Sequence, residues 1–84
     1  MIQNTSLEAF REVLPELGFR QSHIYRILKA IQPATNTQIA NASNLPINSV
    51  TPRVFELRRM GLVVLDHTAT CPITGRNAKF WRIR

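Results

Sequence analysis

The sequence is poor in the residues that several large classes of protein depend on. A single cysteine, Cys71, excludes an intrachain disulfide and suits a reducing compartment. Glycine occurs only three times, with no Gly/Ser-rich linker and no glycine-rich loop of the kind that cradles phosphates in nucleotide-binding enzymes. Acidic residues number five against eleven Lys and Arg, and three of the five are Glu8, Glu12 and Glu16. That leaves no carboxylate pair for acid–base chemistry, and the serines lack a matching His and acid, so no enzyme activity is expected. His67 and Cys71 stand four apart and His23 is distant, short of the four ligands a structural zinc site needs, so neither metal nor cofactor is expected. No apolar run approaches the roughly 20 residues that cross a bilayer, and no basic stretch leads into an apolar one at the start, so neither a membrane partner nor a secretory leader is expected.

What is present is a compact, basic chain. Its 84 residues suffice for one domain, and 44% hydrophobic content is that of a globular protein. The net charge of +6 is unevenly spread. Residues 1–18 carry Arg11 against three glutamates, whereas the remainder carries ten cations against Glu56 and Asp66. Most of the cations are arginine, whose planar fork suits phosphate and guanine better than lysine does. A polyanionic partner follows from this distribution.

Hydrophobic spacing and punctuation divide the chain. A first helix is expected over 6–14, opened by the Thr5/Glu8 capping box, with Leu7, Phe10, Leu14 and Leu17 on one side and the glutamates on another. Pro15 and Gly18 stop it. A second runs over 20–31 with the stripe Ile24, Ile27, Leu28, Ile31, ended by Pro33. A short third helix begins at a Thr35/Gln38 capping box and ends near Ser43-Asn44, where asparagine tolerates a left-handed turn. The fourth spans 47–60, with Val50, Val54 and Leu57 inward and Gly61 after it. Pro52 is tolerable there if the helix starts near Asn48. Strands are expected at 62–65 and 78–83, with Trp81 and Ile83 sharing a core side, joined by a long loop over 66–77 that turns at Thr74-Gly75.

The run TNTQIANASNLPINSVTPRVFELRRMGLV, followed by CPITGRNAKFWRI, resembles the winged helix-turn-helix family. Ala40 allows a close helix crossing, Asn44 makes the turn, Leu45 plugs the junction, and a basic hairpin follows the second helix of the pair. The likeness covers residues 20–84. The short chain, with PINSVTPR and CPITGR, also resembles small phage and prophage winged-helix proteins. The expected fold is therefore α+β, mainly α: a three-helix core plus a C-terminal β-hairpin wing, residues 19–84, with an extra N-terminal acidic amphipathic helix, residues 1–18.

The resemblance implies that residues 47–60 enter the major groove of double-stranded DNA. Opposite the buried stripe lie Asn48, Thr51, Pro52, Phe55 and Arg59, flanked by Ser49 and Arg53. Asn48 suits adenine, Arg53 or Arg59 guanine or phosphate, and Thr51 a thymine methyl or phosphate. The wing offers Thr74, Arg76, Asn77 and Lys79 to the minor groove or flanking phosphates. A regulator of transcription or of a phage life cycle, in the cytoplasm of a bacterial or phage-infected cell, is the role implied. Pro52 and Phe55 depart from a polar reading face and support the alternative, a protein-docking winged helix in a replication, packaging or polymerase complex. The N-terminal helix is the expected surface for a homodimer or protein partner. Trp81 and Phe55 also resemble the aromatic positions of the Zα domains, although Phe55 lacks a tyrosine hydroxyl and Thr51 stands where those domains have asparagine.

Overall fold

The computed structural model describes residues 17–84; the helix expected over 6–14 lies outside the described residues. Five elements follow in order: α1 (Phe19–Ile31), α2 (Asn36–Ser43), α3 (Ile47–Arg59), β1 (Val63–Thr70) and β2 (Asn77–Ile83). Local sequence explains most of their ends. The Gln21 side chain accepts from the N–H of Gly18, the residue that starts α1, at 2.8 Å. The Thr35/Gln38 box forms in full at α2: Thr35 Oγ1 accepts from Gln38 N at 3.1 Å, and Gln38 Oε1 accepts from Thr35 N at 2.9 Å. Asn44 closes α2 in the left-handed region (φ 62°, ψ 29°), and its N–H and that of Leu45 both return to the Ala40 carbonyl. Gly61, at φ 80°, ends α3 in a Schellman turn, with Gly61 N donating to Arg58 O and Leu62 N to Leu57 O.

Pro52 lies farther inside α3 than expected, because the helix opens at Ile47, with Pro46 as its cap. The Asn48 carbonyl loses its intrahelical donor to the proline, but Asn48 is exposed and water can serve it. The first turn is tight as well: Ser49 N reaches Pro46 O at 2.9 Å, closer than Val50 N at 3.3 Å.

The core lies between the three helices and one side of the hairpin. Ile24, Tyr25 and Leu28 of α1, Ile39 of α2, Val50, Val54 and Leu57 of α3, and Leu62, Val63 and Trp81 are all buried, with Ile27, Ala40, Leu45 and Ile83 packed against them. The inward stripes of α1 and α3 are as read from spacing, except at two places. Ile31, the last residue of α1, is exposed, while Tyr25 is buried in its stead, and burial pushes its phenol pKa up.

The hairpin corrects the expected long loop. β1 continues through residues 66–70, and only 71–76 form the tip. Pairing is antiparallel, from Val63 opposite Ile83 to Thr70 opposite Asn77, with a bulge between Leu65 and His67. The polar run Asp66-His67-Thr68-Ala69-Thr70 carries no apolar alternation, so its pairing comes from the partner strand. His67 stacks on Phe80 with centroids 4.5 Å apart. Ala34, between α1 and α2, exchanges both backbone bonds with Trp81, and Gln32 Oε1 accepts from Ile83 N at 2.7 Å, so the inter-helix segment lies along β2. Three helices followed by an antiparallel hairpin make a winged helix-turn-helix, as expected.

Candidate nucleic-acid interface

Burial of Val50, Val54 and Leu57 fixes the rotation of α3. At 100° per residue the line opposite them runs Asn48, Pro52, Phe55, Arg59, and all four are exposed. Ser49, Arg53 and Glu56 fall on the flank towards α1. Thr51 and Arg58 fall on the flank towards α2 and the hairpin. The candidate reading residues are therefore divided between an outward line and two edges with different chemistry.

The edge towards α1 is internally neutralised. Arg53 donates through Nε to Glu56 Oε1 at 2.8 Å and through a terminal nitrogen to Oε2 at 3.0 Å. Gln21 of α1 donates to the same Oε1 at 2.7 Å. These bonds hold the Glu56 carboxyl below its ordinary pKa, with Arg53 the largest cause and Gln21 next. Arg53, expected as a guanine or phosphate ligand, is thus tied to a carboxylate three residues on.

The edge towards the hairpin carries Arg58 near the C-terminal end of α3. The guanidinium of Arg58 lies over the Trp81 ring, 4.5 Å from its centroid. That stacking places the charge beside the cleft lined by Phe55, Arg58, Arg59, Val64 and Leu65. Across the next groove, Lys79 stands beside Asn36 and Thr37 at the start of α2. Asn36 donates to Thr51 Oγ1 at 3.4 Å, joining α2 to α3 at this edge. Arg59 lies near the Phe55 ring, 5.9 Å from its centroid.

In the wing, Thr74, Arg76, Asn77 and Lys79 are all exposed. The tip is held by Cys71 N to Arg76 O and Gly75 N to Cys71 O, both 2.8 Å, with Gly75 at φ 72°. Thr74 Oγ1 accepts from Arg76 N at 3.2 Å. Farther along β2, Arg82 is paired with Asp66 at 3.2 Å. The base of the tip is anchored inward: Cys71 is fully buried, and its Sγ lies 3.2 Å from Thr35 Oγ1. The Thr35 hydroxyl, and then the backbone of Thr74, hold the thiol down to about 7 against the burial that pushes it up. Ile73 sits against the outer side of α2, near Ala40, Asn41 and Leu45. No cluster of His, Cys, Asp and Glu able to hold a metal occurs among the described residues, and no described helix is long and apolar enough to cross a membrane.

Among the described cations, Arg59, Arg76 and Lys79 have no ion pair, whereas Arg53 and Arg82 do. Unpaired positive charge thus lies at the C-terminal end of α3 and on the wing at Arg76 and Lys79, and also on α1, where Arg20, Arg26 and Lys29 are exposed and form no ion pair with a described residue.

No protein-family model matches the chain. No curated protein matches it either. Among solved structures, the crystal structure of the MarR family transcription regulator SP03579 matches with a TM-score of 0.66 at 20% sequence identity, over 99% of this chain and 53% of that one. The chain spans about half the length of that regulator. At this identity the likeness concerns fold, and the fold that residues 17–84 share with that regulator is the winged helix-turn-helix.

Proposed function

We propose that the chain binds double-stranded DNA as a regulator of transcription or of a phage life cycle, with α3 in the major groove and the hairpin on flanking phosphates or the minor groove. The observation that carries this is the pairing pattern of the cations. Arg76 and Lys79 of the wing and Arg58 and Arg59 at the end of α3 pair with no described carboxylate, whereas Arg53 and Arg82 do, and the fold is one that presents the wing and α3 together. The structural neighbour, a transcription regulator, supports the same reading. Asn48, Thr51, Phe55 and Arg59 then face bases or their backbone. Ser49 and Arg53 flank them, and Thr74, Arg76, Asn77 and Lys79 serve the wing. In this reading residues 19–84 are the DNA-binding domain, working in the cytoplasm, and residues 1–18 supply the surface that meets a second copy or a protein partner.

Fluorescence anisotropy on random-sequence duplex DNA across a salt series tests the proposal. If about five cations neutralise phosphates, log affinity falls with log salt at a slope near −4 to −5. An Arg59→Ala/Arg76→Ala variant flattens the slope by about 1.8, because each phosphate contact contributes about 0.9. Absence of binding at low salt defeats the proposal. The second reading, a protein-docking module, is favoured by two exposed aromatics, Phe55 and the 93% exposed Phe19. Loss of a protein partner in Phe55→Ala with DNA affinity intact would establish it.

A further inference from the structure

We infer that the exposed ridge formed by Pro52 and Phe55 reads thymine, through the 5-methyl group that this base alone presents in the major groove of unmodified DNA. The inference rests on the DNA-binding reading and adds a base preference to it.

Three observations lead to it. The first is position. Pro52 and Phe55 are consecutive on the outward line of α3, with Asn48 before them and Arg59 after them. Phe55 is 53% exposed, and Ile47 at the start of α3 and Leu65 of β1 are nearly as open. The second is the loss of polar readers from the middle of the helix. Arg53 is held bidentately by Glu56, and Glu56 also takes the Gln21 amide. Thr51 stands off the outward line, on the flank towards α2, where its hydroxyl accepts from Asn36 at 3.4 Å. Hydrogen-bonding readers that remain free stand one turn to either side, at Asn48 and Arg59, and the centre between them is apolar. The third is charge. Arg59 lies over the Phe55 ring and Arg58 over Trp81 in the adjoining cleft. An apolar ridge bordered by two guanidiniums matches a polyanion that offers isolated apolar groups better than it matches an apolar protein surface. In the major groove the thymine methyl is that group, and every other base edge offers only donors and acceptors.

The test compares an alternating dA–dT duplex with an alternating dA–dU duplex of equal length, at one salt concentration, by anisotropy. Uracil keeps every donor and acceptor of thymine and lacks only the methyl. Burying one methyl contributes about fourfold in affinity, so the two ridge residues together give about four- to fifteenfold preference for the dT duplex. Phe55→Ala lowers that preference to about fourfold or less, the share of the one methyl left to Pro52, and the ratio between the two duplexes reads this whatever the variant does to overall affinity. Phe55 lies outside the core cluster, and a thermal melt confirms that the variant is folded. Equal affinity for the two duplexes overturns the inference while leaving DNA binding standing. So does a preference that survives both Phe55→Ala and Pro52→Ala, which would assign the methyl contact elsewhere. Failure to bind either duplex overturns the DNA reading with it and makes the ridge a protein contact.

Discussion

Thr35→Val tests how the wing is fastened to the helix pair. Valine keeps the shape and β-branching of threonine, and the position is 2% exposed, so the substitution removes the hydroxyl and little else. That hydroxyl caps α2 by accepting from Gln38 N at 3.1 Å, and it also meets Cys71 Sγ at 3.2 Å. Loss of an N-cap costs about 1 kcal/mol. Loss of a buried hydrogen bond that leaves its partner unsatisfied costs about another 1 kcal/mol. Together these lower the melting temperature by about 8–16 °C for a domain of this size. Thr35→Ser is the control, since it keeps both bonds and gives up one buried methyl, about 0.8 kcal/mol. The second readout is the thiol. Its pKa is about 7, with the Thr35 hydroxyl as the largest cause of the lowering, so in Thr35→Val it rises and in Thr35→Ser it stays. Because that pKa is depressed in the folded chain, the thiolate's contribution to stability is full above the ordinary thiol value of 9.0 and is lost as the pH falls through about 7. Thermal melts and ultraviolet titration of the thiolate provide both measurements. A Val variant as stable as the Ser variant, with an unmoved thiol, would refute the argument that one hydroxyl serves both the helix and the wing.

Three further outcomes are expected. Glu56→Gln frees Arg53 and steepens the salt dependence of DNA binding by about 0.9, as one added phosphate contact would. The Glu56 pKa is depressed, so its contribution is full above the unfolded value and lost as pH falls through the lower folded one. An acid titration of stability in Glu56→Gln is correspondingly flatter below the ordinary 4.5. Asn44→Ala forces alanine into the left-handed region and costs about 1–2 kcal/mol, while Asn44→Gly is near neutral in denaturant melts. Trp81→Ala costs about 3–5 kcal/mol, a large share of the total stability of a small domain, and removes the platform under Arg58.

Where structure was written locally, the sequence was readable. The capping box at Thr35 and Gln38, the left-handed Asn44, and the inward stripe of α3 each depend on residues within one or two turns of each other. Trp81 and Ile83 announced the core side of β2 by alternation. The strand over residues 66–70 was not readable, because Asp66-His67-Thr68-Ala69-Thr70 lacks an apolar pattern and the bulge after Leu65 breaks the period of two. At the site, the outward line of α3 followed from helix geometry. The fate of its cations did not. The Arg53–Glu56 pair has a local spacing of three and could have been weighed against a free arginine. The Gln21 contact that completes it, and the stacking of Arg58 on Trp81, join residues far apart in the chain, where no periodicity carries a signal.

The exchange of backbone bonds between Ala34 and Trp81 bears on how the protein comes off the ribosome. Synthesis is vectorial, and the segment joining α1 to α2 finds its partners only when β2 has been made; the Gln32–Ile83 bond spans 51 positions. Until then the three helices lack the indole that closes their core and the strand that satisfies Ala34. A nascent chain arrested before residue 77 would therefore hold a core without Trp81 and be open to proteases and chaperones. Release of the next seven residues would convert it in one cooperative step, so that the hairpin assigned to DNA is also the clasp that completes folding.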